Sequence, residues 1–127
     1  MCSSDLNVMD EATARLSDCV DREAAAAPVE GRSAGAVAQE VMAACRAERA
    51  ALVERVQEFR EIGYPKEAAE RRRVIAESSV AAIETTLRQR AVTTTITRQM
   101  ALRSGDAPAG AAAPAAGAAA EPATKAN

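Results

Sequence analysis

Histidine and tryptophan are absent from this 127-residue chain, and Phe59 and Tyr64 are its only aromatic residues. The first absence removes the usual general base and the commonest zinc ligand, and most standard hydrolytic or metal-dependent active sites with them. Carboxylate pairs can be drawn at Glu54 with Glu58 and at Asp18 with Asp21, but each falls on a predicted solvent face where surface acids are ordinary. No convincing strand is present to carry a glycine-rich phosphate loop, so nucleotide binding has no support. No apolar run approaches the ~18 residues that a membrane-spanning helix requires. The reading is therefore of a protein that is not an enzyme, with no catalytic, cofactor-binding or metal-binding residue and no cofactor.

What the chain has in quantity is alanine, which supplies much of its 48 % apolar content. Helices of this composition bury little area per residue, so the core they build must be thin. The spacing predicts an all-α fold: a helical hairpin followed by a long third helix, a three-helix arrangement with coiled-coil-like seams, over residues 7–103. The first helix covers about 8–27, with Asn7 as its cap, Asp10 and Glu11 against the positive end of its dipole, and Met9, Ala12, Leu16 and Cys19 as one stripe; Pro28 stops it. The second covers 33–62, capped by Ser33, with Val37, Val41, Cys45, Leu52, Val56 and Phe59 on its buried face and Gly63 as a left-handed cap. The third covers 65–102, opening at Pro65. Its stripe is Ala76, Val80, Ile83 and Leu87, continued by Val92, Ile96 and Met100 through a Thr-rich stretch that loses side-chain freedom in a helix. On its outer side Glu67 can pair with Arg71, and Lys66 with Glu70. From 104 to 127 the sequence is alanine, glycine and proline, too poor in large apolar side chains to offset chain entropy, and it reads as a disordered tail.

The net charge of −2 conceals a division. Residues 1–61 hold twelve acidic and seven basic side chains, a balance of −5, while 71–103 hold seven arginines against Glu77 and Glu84, a balance of +5. The plainer consequence is that the basic segment packs beside the acidic one, in the same molecule or in a second copy. The sharper one is a basic interaction face of Arg88, Arg90, Arg98 and Arg103 offered to an acidic partner or an anionic surface. Nucleic acid is a poor fit because the whole chain is negative and no aromatic interleaves those arginines. Peripheral membrane contact through Val92, Ile96 and Met100 with Arg88, Arg98 and Arg103 lacks a Trp or Phe anchor.

Two further features bear on origin. Met1–Leu6 matches the translation, from a GTG start, of the end of a widely used short-read sequencing adapter; on that reading residues 1–6 are a scar on a metagenomic fragment whose true N-terminus is missing. Cys19 and Cys45 both lie on apolar stripes, roughly eight residues before the Pro28–Arg32 connection and about twelve after it, an offset of one helical turn. A skewed hairpin brings them into bonding range, and a disulfide closing such a loop contributes ~3–4 kcal/mol. The alternative is two buried free thiols of a cytoplasmic protein.

The runs Cys19-Val20-Asp21-Arg22-Glu23-Ala24-Ala25, Gly31-Arg32-Ser33-Ala34 and Val37-Ala38-Gln39-Glu40-Val41-Met42-Ala43-Ala44-Cys45-Arg46-Ala47-Glu48 resemble small proteobacterial proteins of the exported, two-cysteine, helical-hairpin kind, over about residues 15–55. The resemblance implies a periplasmic or secreted protein that has lost its signal sequence, and it implies no activity. The function expected is that of a structural or protein-interaction module, paired with a second copy through exposed alanine stripes. The alternative is an anionic-surface binder, for lipid or nucleic acid, using residues 88–103.

Overall fold

The computed structural model describes residues 2–105, with side chains from residue 7 onward. It contains four helices, α1 (Cys2–Ala26), α2 (Ala34–Ala44), α3 (Arg46–Gly63) and α4 (Ala69–Arg103), and no strand among the described residues. The all-α expectation holds, but its boundaries need four corrections.

First, α1 begins inside the six residues set aside as a scar, so Asn7 is interior to the helix and caps nothing. Nothing between residues 2 and 27 breaks a helix. Second, the single helix expected over 33–62 is two. Its start is as anticipated, with Ser33 in extended conformation and its hydroxyl accepting from the Ala36 N–H at 3.1 Å. The chain then breaks at Cys45, whose φ of −102° and ψ of 23° are not helical. Third, Pro65 does not open a helix. It occupies the second position of a turn closed by the Glu67 N–H donating to the Tyr64 carbonyl at 3.0 Å, and α4 starts after Ala68. Proline's fixed φ suits both settings, which is why the residue alone could not distinguish them. Fourth, the positive-φ glycines among the described residues are Gly31 and Gly105, and Gly63 is the last residue of α3. Gly31, at φ 72°, sits third in the turn closed by the Arg32 N–H and the Val29 carbonyl, a position that calls for glycine. Ser104 and Gly105 form the end of α4, with their N–H groups donating to Met100 and Leu102 carbonyls. The tail expected over 104–127 otherwise lies outside the described residues.

The helices make three rods, the middle one bent. α1 and α4 run in the same direction and touch each other, and the rod of α2 and α3, broken at Cys45, returns alongside both. Contacts spaced along α4 mark this order. Arg72 meets the connection before it, Glu77 and Glu84 meet Arg49 near the start of α3, and Arg98 meets the α1–α2 connection. The core is built from small side chains: Leu16, Val20 and Ala24 from α1, Val37 and Val41 from α2, Leu52 from α3, and Ala76, Val80, Leu87 and Ala91 from α4. No aromatic enters it, since Phe59, placed on the buried face by its spacing, is 37 % exposed.

On α4 the inward stripe is Ala76, Val80, Leu87, Ala91 and Thr95 with Ile83 at its edge, while Ile96 and Met100 are exposed and Val92 is half-buried. Small residues at 91 and 95 let α4 approach its neighbours closely. The buried Thr95 hydroxyl is satisfied by donating to the Ala91 carbonyl at 2.9 Å, so its burial leaves no polar group unpaired.

Candidate functional site

Cys19 of α1 and Cys45 at the α2–α3 break are joined by a disulfide with a Cα–Cα distance of 5.9 Å. Both residues are buried. The two apolar stripes that carry them converge on one seam, and the bend of the middle rod lies at the bond itself. Cys19, Cys45 and Glu48 form a group whose ligand atoms lie within 4.8 Å of one another. With the two sulfurs bonded to each other, neither is a thiolate, and the group offers an ion one carboxylate.

Of the four arginines of the expected basic face, Arg90 and Arg98 are engaged with α1, although only Arg98 is half-buried. Arg90 reaches α1, where its Nε and one Nη donate to both oxygens of Asp21 at 3.0 Å and the guanidinium also contacts the Ser17 hydroxyl. Arg98 donates to the carbonyls of Ala24 at 2.8 Å and Ala27 at 2.6 Å, which cap the C-terminal end of α1 with a cation at its negative pole. Beside it the Gln99 amide donates to the carbonyls of Val29 and Arg32, holding the connection. Arg88 and Arg103 are exposed. Basic and acidic segments therefore do meet within one molecule, as the plainer reading of the charge division requires.

A second cluster of charge locks the α3–α4 connection. Arg60 grips Glu67 with two hydrogen bonds, at 2.9 and 2.8 Å, and its guanidinium stacks 4.4 Å over the Tyr64 ring. Arg71 adds an ion pair to Glu67 at 3.4 Å, as expected, while Glu70 pairs with Arg73, not Lys66. Arg60 holds the Glu67 carboxyl below the ordinary glutamate range, chiefly by hydrogen bonding and against a smaller opposing effect of burial. On α3, Arg49 is drawn up from its ordinary value by the hydrogen bonds it donates to Glu84 and then Glu77. These groups serve the fold. Of the two carboxylate pairs, Glu54 and Glu58 both form ion pairs with Arg55, while Asp21 pairs with Arg90 and Asp18 faces solvent.

Besides exposed apolar side chains on α4 such as Val74 and Met100, one flank of α1 and α3 lies outside the packing. An open groove of about 280 Å³ runs between them, lined by Val8, Ala12, Arg15, Glu48, Ala51 and Arg55. Spacings of three and four place Glu48, Ala51, Arg55, Phe59 and Ile62 on the same side of α3, so the flank extends ~21 Å along the helix. Val8 is 44 % exposed and Ile62 59 %. Sequence periodicity does place Phe59 and Val56 near a seam, but it cannot show that the seam opens outward at its far end. Comparison of the chain with protein-family models, with curated proteins and with solved structures finds no match.

Proposed function

We propose that the protein is a non-catalytic helical interaction module of an oxidising, extracytoplasmic compartment, and that the exposed flank of α1 and α3 pairs it with a second copy. The observation that carries this reading is the position of Phe59 and Ile62. In a chain with two aromatics and a core of alanine and valine, these large side chains stand outside the core on one flank. Aromatic and aliphatic side chains beside arginine are the composition of a contact surface. The charges along the flank favour self-recognition. Glu48 is half-buried and Arg15 exposed, neither makes an ion pair among the described residues, and a two-fold axis across the flank brings each toward the other's copy. The disulfide supports the compartment, since such bonds persist where thiols are not kept reduced.

The alternative reading, an anionic-surface binder through residues 88–103, has fewer cations to draw on, because Arg90 and Arg98 are engaged with α1.

Sedimentation equilibrium tests the pairing. The wild type should show a concentration-dependent monomer–dimer equilibrium and the double substitution Phe59→Ser with Ile62→Ser should sediment as a monomer with unchanged helicity. A wild type that remains monomeric at every concentration overturns the proposal.

A further inference from the structure

The break between α2 and α3 has no cause in its own residues. From Ala43 to Ala51 the chain reads Ala-Ala-Cys-Arg-Ala-Glu-Arg-Ala-Ala, without glycine or proline and composed largely of the strongest helix formers. A break here leaves backbone groups without helical partners. The Cys45 N–H donates to Met42, three residues back, at 3.2 Å instead of completing the helical bond to residue 41. The first turn of α3 has no side-chain cap. At the equivalent start of α2, Ser33 supplies one. One unusual feature coincides with the break, the covalent bond from Cys45 to Cys19 across the seam.

We propose that the Cys19–Cys45 bond imposes the bend, and that the bend is a redox-dependent element. With the bond cleaved, residues 34–63 form one continuous helix. The chemistry balances with a dithiol reductant: its two thiols give up two electrons and two protons, becoming a disulfide, and Cys19 and Cys45 become two thiols. Both sulfurs are buried, so exchange proceeds through local opening and the oxidised, bent form persists once made. The consequence reaches beyond one residue. α2 makes its larger contact with α4, while α3 packs on both α1 and α4. Straightening at Cys45 changes the path of α3 relative to α2, so cleavage shifts α3 against α1 and alters the flank that carries Phe59 and Ile62. This inference does not depend on that flank being a dimer contact.

The test is residue-resolved NMR and amide exchange on the oxidised wild type, the dithiol-reduced wild type and the double variant Cys19→Ala with Cys45→Ala. In the two uncrosslinked forms, carbon chemical shifts at residues 44–47 should turn helical, and amide exchange at Arg46, Ala47 and Glu48 should slow by about tenfold or more as these groups gain helical partners. Non-helical shifts retained at residue 45 in the uncrosslinked forms overturn the proposal, since packing would then set the bend. Loss of helical shifts throughout the chain in both uncrosslinked forms overturns it as well, because the bond would then hold the whole bundle and not its bend.

Discussion

At the scale of single residues, Arg98 does more for the fold than its position in a basic segment implies. Its guanidinium serves the Ala24 and Ala27 carbonyls at the end of α1, groups that would otherwise lack partners where the helix stops. A partly buried charged donor satisfying two carbonyls is worth more than an exposed ion pair. Arg98→Ala should lower the free energy of unfolding by about 2–3 kcal/mol in urea denaturation, through lost hydrogen bonds and a lost dipole partner. Arg88→Ala, at an exposed position of the same helix, should change it by less than about 0.5 kcal/mol. Equal losses from the two substitutions would mean that the clamp contributes nothing particular. Formal charge alone could not separate these two arginines. Their distinction depends on which side of α4 faces α1, and that was the least legible property of the sequence.

At the scale of elements, the α3–α4 connection is locked by a carboxylate whose ionisation matters. Glu67, its side chain 8 % exposed, receives Arg60 in bidentate fashion and Arg71 at one of the same oxygens, and its carboxyl is held below the ordinary 4.5. A carboxyl with a lowered folded-state pKa stabilises fully above its unfolded value and loses that stabilisation as pH falls through the folded value. The wild type should therefore be more stable than Glu67→Gln at pH 7, and the difference should close as pH falls below 4.5. Thermal melts of both proteins between pH 7 and pH 2 check this, and a difference independent of pH would show that the contact acts without its charge. The elements also show where reading the sequence succeeds and where it fails. Ser33 as a cap, Pro28 as a stop and the convergence of Cys19 with Cys45 follow from local chemistry and helical spacing, so all were legible. The turn at Pro65 and the break at Cys45 were not, because proline's φ fits two settings and because a helix of alanine and arginine gives no local sign of a bend imposed from another helix. On α4, bulk misled: Val92, Ile96 and Met100 have the right spacing for a core, but alanine and threonine at 91 and 95 allow the closer approach. The exposed flank of α3 was readable only as a stripe that continued, not as one left uncovered.

At the scale of the whole molecule, a core without aromatics makes the cross-link disproportionately important. The bonded cysteines are 26 residues apart, and the chain-entropy relation gives about 3.5 kcal/mol for closing a loop of that length. Small domains have a net stability of about 5–15 kcal/mol, and a fold filled by alanine and valine belongs toward the lower end. Removing the bond should therefore take away a large share of the stability without abolishing folding in the cold. With ~2 cal/mol/K of unfolding entropy per residue over the helical region, the melting temperature should drop by about 15–20 °C in the Cys19→Ala, Cys45→Ala variant. Differential scanning calorimetry of wild type and variant measures it directly. Straightening of residues 34–63 would restore some backbone hydrogen bonding and offset part of the loss, so a drop clearly smaller than this, together with helical shifts at residue 45, would indicate that the bond constrains the native state as well as the unfolded one. A drop of the full size with the bend unchanged would instead assign the whole effect to the unfolded chain.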